Sequence, residues 1–175
     1  MKSQTNQPEN EPALPGNILV LGIGNLVLND EGIGIHVVNV LEKMELPCGV
    51  DLLDGGTGGL ALLETLQNYR RIILVDASLD NYPVGTIRRL SPKFSNDYPT
   101  LLSAHEIGLK EMIDAMLLLG KAPQIELIAV SVRNCYQLGM KLSPEAKRAI
   151  PQIIQIIFEI IDEQQLNCQR PERIG

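Results

Sequence analysis

Ile18-Leu19-Val20-Leu21-Gly22-Ile23-Gly24-Asn25-Leu26-Val27-Leu28-Asn29-Asp30-Glu31-Gly32-Ile33-Gly34 runs from an apolar, β-leaning stretch through a glycine-bearing loop into helix-forming sequence. Ile18 to Leu21 shows no apolar–polar alternation, the mark of a strand covered on both faces. Glycines after such a strand permit a tight turn and close backbone approach. Asp30 and Glu31 stand where the loop gives way to the helix. The dinucleotide fingerprint G-x-G-x-x-G is broken here, because Gly22 and Gly24 are followed by Val27, and Gly32 and Gly34 by Val37. Two carboxylates at its rim would also repel a pyrophosphate. The loop suits a positive ligand.

Working outward, similar short apolar runs recur at Val50 to Leu53, Ile72 to Val75 and Ile125 to Val130, all read as strands buried on both faces. Helical segments are predicted between and after them. Gly32 to Met44 carries the stripe Ile33, Val37, Val40, Leu41 and Met44; Leu60 to Leu66 and Glu106 to Leu119 follow; Pro144 to Asp162 starts behind Ser143 as N-cap, with proline at the first helical position. Alternating strands and helices predict an α/β three-layer sandwich, with a twisted, mostly parallel sheet of about five strands flanked by helices. A short strand at Thr86 to Leu90, reached through Pro83 and Gly85, is predicted as an edge or antiparallel member and makes the sheet mixed. One domain over residues 17–163 is expected, between polar tails at Met1 to Gly16 and Gln164 to Gly175.

The 175 residues are 45% hydrophobic, enough for a sizeable core, and carry a net charge of -6. That charge, with only the scattered basic pairs Arg70-Arg71, Arg88-Arg89 and Lys147-Arg148, argues against nucleic-acid and anionic-membrane partners. Two Phe, four Tyr and no Trp leave few platforms for stacking bases. Cys48, Cys135 and Cys168 are far apart and form no C-x-x-C pair, so neither a disulfide framework nor a cysteine zinc site is suggested. With no signal-peptide pattern at the start, a soluble cytoplasmic protein is expected.

Ligands of open α/β sheets collect beyond the carboxyl ends of the strands. The polar residues there are Glu31 after the first strand, Asp54 opening Asp54-Gly55-Gly56-Thr57 after the second, Asp76 after Val75, and His105 in Ser103-Ala104-His105-Glu106. Glu31 reads equally as a ligand or as an ordinary acid favoured by a helix dipole. Asp76 reads as an N-cap or a functional acid, and Asn81-Tyr82-Pro83-Val84-Gly85 behind it is poor helix material. Ser103 and Glu106 form a capping box that sets His105 in the first turn of a helix, where the dipole favours the neutral, ligating imidazole. His36 lies mid-helix with no suggested partner and is set aside. Two carboxylates and an imidazole suit zinc, nickel or cobalt and leave coordination positions open. Other chemistries find no support: there is no G-x-S-x-G elbow, Gly55 to Gly59 lacks a phosphate loop's Lys-Ser/Thr ending, and Leu109 stands where H-E-x-x-H needs its second histidine. Cys135 has no base near it in sequence to make it a nucleophile.

Taken in order, Ile18 to Leu26 with Asp30 to Gly34, Asp54-Gly55-Gly56-Thr57, Val75-Asp76-Ala77 and Ser103 to Leu109 resemble the nickel-iron hydrogenase maturation endopeptidases. The resemblance spans Asn17 to about Asp162. It implies an enzyme that removes a C-terminal extension from the precursor of the hydrogenase large subunit after nickel insertion. It implies that Glu31, Asp76 and His105 coordinate metal, the two carboxylates sharing in catalysis. By the same likeness Asp54 lies near the site and assists recognition or proton transfer, in a recognition loop with Gly55, Gly56 and Thr57. The nickel is expected to arrive with the substrate, and zinc or cadmium to fit the same ligands in vitro. Aspartic and metal-assisted hydrolysis both stay open. The alternative is a nickel-binding chaperone or checkpoint protein that holds the precursor without cutting it.

Overall fold

The computed structural model describes residues 18–92, 114–118, 120, 123–133 and 138–168, the side chains at 59, 60 and beyond 163 excepted. Strand β1 (Ile18–Ile23) leads through a 3-10 turn (Asn29–Gly32) into helix α1 (Ile33–Leu41). Strand β2 (Val50–Gly56), a second 3-10 turn (Gly59–Leu62) and helix α2 (Leu63–Leu66) follow. Then come strands β3 (Arg71–Ser78), β4 (Ile87–Leu90) and β5 (Gln124–Ser131), and helix α3 (Pro144–Cys168). Residues 114–118 are helical, while the rest of the helix expected over Glu106 to Leu119 lies outside the described residues. No helix among the described residues is long and apolar enough to cross a membrane.

The sheet has the order β2-β1-β3-β5-β4. Its first four strands are mutually parallel, and β4 runs antiparallel to β5 at the edge, so the mixed sheet is as expected. The absence of alternation in the strands has a direct cause in the packing. Ile18 and Val20 of β1, Ile73 and Val75 of β3, and Ile128 and Val130 of β5 face a core shared with Ile33, Val37 and Leu41 of α1 and Ile153, Ile157, Ile160 and Ile161 of α3. Their neighbours Leu19, Leu21, Ile72, Leu74, Leu127 and Ala129 face a second core with Leu66 of α2 and Met116. Successive residues of a strand point to opposite faces, so a sheet covered on both sides needs apolar residues at every position. Each fully buried leucine or isoleucine contributes roughly 1.5–3 kcal/mol.

Three details depart from the sequence reading. Strand β2 is only partly covered, with Asp51 exposed, because it forms the outer edge of the sheet. Helix α1 stops at Leu41, and Met44, expected on its buried stripe, is exposed in the turn that follows. Helix α3 continues to Cys168, past Asp162, where the sequence reading ended it. Its start matches the reading: the Ser143 Oγ accepts a hydrogen bond from the Ala146 N–H at 3.2 Å, just ahead of Pro144.

Candidate functional site

Strand β1 is followed in space by β2 on one side and β3 on the other, so the strand order reverses between β1 and β3. Such a switch point leaves a crevice at the carboxyl ends of the strands. Glycine brings the acidic loop down onto that crevice. A Cβ on Gly34, in the first turn of α1, would lie 2.3 Å from the Val75 carbonyl oxygen and 2.4 Å from that of Ile23. Both obstacles are backbone, so only glycine lets α1 rest directly on the ends of β1 and β3. Gly24, at φ 145°, would put a Cβ 1.9 Å from the Glu31 carbonyl oxygen.

Glu31 therefore sits in the 3-10 turn before α1, packed against β3, with no exposed surface (0%). The turn is held by the Glu31 N–H donating to the Leu28 carbonyl at 3.2 Å. Asp76 is 2% exposed and lies inside β3 rather than at a helix cap, since the strand runs on to Ser78. Its Oδ1 accepts the Ala77 N–H at 2.7 Å, which fixes one carboxylate oxygen. Asp76 follows Val75, the residue on which Gly34 rests, so the switch point brings Glu31 and Asp76 to the same end of the sheet.

Asp54 pairs across the ladder with Gly22, whose other neighbour is Val75, so it stands on the far side of β1 from Asp76. It belongs to β2 rather than to a loop after it, is exposed, and its Oδ1 accepts the Gly56 N–H at 2.8 Å. Gly55 is buried against Leu21 and Leu62, and Gly56 takes a φ of 51°. Thr57 is exposed, and the Gly24 N–H donates to the Gly56 carbonyl at 3.0 Å, tying this loop to the end of β1. His105 and Cys135 lie outside the described residues. Among the described residues, no three His, Cys, Asp or Glu side chains are grouped to hold a metal.

A tether across the chain holds this edge together, and the sequence reading missed it. The Ser143 N–H donates to the Asp30 Oδ1 at 2.6 Å, joining the acidic turn to the start of α3. The same segment forms a parallel bridge between Leu28 and Gly139, with the Asn29 N–H on the Gly139 carbonyl at 2.8 Å and the Gly139 N–H on the Val27 carbonyl at 2.9 Å. Only the doublet Asp30-Glu31 hinted at it, and it is Asp30 that carries the tether. Beside Asp30 a cavity of about 430 Å³ opens between Pro83, Val84, Arg133, Ser143 and Glu145. The β3–β4 connection next to it is braced by Arg88, which donates to Asp80 and Ser78 and stacks on Tyr82 at 5.0 Å. Burial pushes the Asp80 carboxyl up, but the hydroxyls of Ser131 and Ser78, the Tyr82 N–H and the Arg88 charge together hold it below its ordinary value.

The fold and site define an α/β enzyme with buried acids at the switch point of a doubly covered sheet. Comparison with known proteins gives the family: residues 35–160 match the hydrogenase maturation protease pattern, and the chain belongs to that family. It is 32% identical over 153 residues to the hydrogenase 2 maturation protease of Escherichia coli (strain K12), covering 83% of this chain and 91% of that one. It is likewise 32% identical over 162 residues to the hydrogenase expression/formation protein HupD of Thiocapsa roseopersicina, covering 89% and 72%. Among solved structures, the hydrogenase maturating endopeptidase HybD from Escherichia coli superposes with a TM-score of 0.78 at 30% identity, over 84% of this chain and 93% of that one. The maturation protease HybD from Thermococcus kodakarensis gives 0.69 at 25% identity, over 83% and 99%. The chain is thus a hydrolase, an endopeptidase of the type that processes the C-terminus of nickel-iron hydrogenase large-subunit precursors. Membership of a protease family favours cutting over the non-cleaving chaperone.

Proposed function

We propose that Glu31, Asp76 and His105 recognise nickel already seated in the large-subunit precursor, and that cleavage waits for it. The observation that carries this reading is the burial of Glu31 and Asp76 at one switch point, held there by Gly34. A site of two carboxylates and an imidazole gains most of its affinity when a cation arrives with the substrate, so binding favours the loaded precursor. His105, in its capping-box segment, completes an oxygen, oxygen, nitrogen donor set of the kind that suits nickel. Asp54, on the exposed side of β1, is the carboxylate best situated to meet the incoming chain, together with Gly55, Gly56 and Thr57. The peptide carbonyl then needs polarisation and an attacking water, and a bound metal favours both.

Intact-mass analysis of a precursor, nickel-free or nickel-loaded, incubated with this protein tests the reading. Loss of a C-terminal peptide from the loaded form alone is the expected result. Equal cleavage of both forms removes nickel from the recognition step.

A further inference from the structure

Exposed large apolar residues scattered singly over a surface are ordinary, whereas several gathered on one face call for a partner. Three are gathered beside the acidic turn: Val27 is 47% exposed, Leu138 84% and Met140 67%. The parallel bridge between Leu28 and Gly139 sets them in register. Leu138 and Met140 flank Gly139 and Val27 flanks Leu28, so the bridge brings the three exposed apolar residues into one stretch of surface. The bridge is closely packed. A Cβ on Gly139 would lie 2.1 Å from the Asn29 Oδ1, and Asn29 itself is held at φ 52°. The apolar triad is therefore carried on two segments joined by backbone hydrogen bonds.

Its position decides the occupant. Val27 is four residues from Glu31, within about 14 Å even for an extended chain. The segment that carries Leu138 and Met140 runs on to Ser143, where it grips Asp30 and lines the 430 Å³ cavity. A protein substrate whose cleavage site reaches Glu31 must cover the surface next to that turn. A membrane fits poorly, since the chain carries a net charge of -6.

We infer that Val27, Leu138 and Met140 form a docking platform for the precursor protein, seating an apolar stretch of its chain beside the scissile bond. The inference rests on the proposed function and adds to it a binding surface separate from the metal-reading acids. Because the platform binds substrate without touching the reacting atoms, it acts on KM more than on kcat.

The test uses the double variant Leu138→Ser/Met140→Ser, with Leu118→Ser as control: Leu118 is 89% exposed, on the helical segment of the opposite layer. Cleavage of nickel-loaded precursor is followed by intact mass at several precursor concentrations, with thermal melting of each variant alongside. Expected is a rise in KM of about tenfold or more for the double variant, with a much smaller change in kcat, because two exposed apolar contacts are lost. The Leu118 control and all melting points stay as in the unmodified protein. An unchanged KM for the double variant overturns the platform. So does a concentration-dependent dimer in sedimentation that the double variant abolishes, since a second copy would then own the patch. If the unmodified protein leaves loaded precursor uncut, it is the underlying function that fails, a result distinct from an unchanged KM.

Discussion

At the carboxyl ends of β1 and β3 the molecule fixes acids through its backbone, whereas at the β4 edge it fixes them with arginines. Asp30 accepts the Ser143 N–H, Asp76 accepts the Ala77 N–H, and Glu31 is carried into the crevice on a glycine-lined turn. On the far edge, Arg89 of β4 bridges Glu126 of β5 at 3.1 Å and Glu163 of α3 at 2.7 Å. The Arg89 guanidinium is raised above its ordinary range, first by its hydrogen bonds to Glu163, against some desolvation, with Glu126 adding to the effect. Charged arginines on an edge strand also discourage pairing with another chain. The second region spends its charges on holding layers together; the first holds Glu31 and Asp76 buried at the carboxyl ends of the strands.

The largest effect that would break this contrast comes from Gly34. Gly34→Val drives a side chain into the Val75 and Ile23 carbonyls, so a loss of roughly 3 kcal/mol or more is expected in urea denaturation, together with loss of cleavage. Stability within a few tenths of the unmodified protein would show that α1 need not rest on the strands. Next is Arg89→Met, which leaves the mostly buried Glu126 without its guanidinium. About 1–3 kcal/mol of stability should go, with the cleavage rate of the folded protein unchanged. A fall in rate at full folding would tie the two regions together.

A smaller effect sharpens the contrast through pH. Burial holds the His36 imidazole below its ordinary value of 6.5. The unfolded chain therefore binds a proton before the folded one does, so this contribution is complete above pH 6.5 and is lost as the pH falls below it. His36→Gln should flatten the melting temperature between neutral and mildly acidic pH. A slope unchanged by the substitution would assign it to other groups. Smallest is Arg148→Ala, which removes an exposed i,i+3 pair with Glu145; a change of no more than about 0.5 kcal/mol is expected by denaturation.

How far the sequence disclosed these features follows from how local each one is. The central strands were legible because two covered faces demand apolar runs, and the placement of Glu31 and Asp76 at strand carboxyl ends because each directly follows such a run or its loop. The half-exposure of β2 was hidden, since Asp51 within Val50 to Leu53 reads no differently from Glu126 in the buried strand β5, and only the strand order makes β2 an edge. The early end of α1 was hidden too, because Met44 continues the stripe while the chain turns after Leu41. The tether of Asp30 to Ser143 joins residues 113 positions apart, beyond the reach of any local pattern.

The central claim is that the acids at the switch point serve the substrate rather than the fold. Single-turnover cleavage of nickel-loaded precursor by Glu31→Gln, beside a melting curve of the same variant, tests it most directly. The account predicts a rate lowered by about a hundredfold or more, with the melting temperature close to that of the unmodified protein. A variant that melts with the unmodified protein and cleaves at its rate would contradict it.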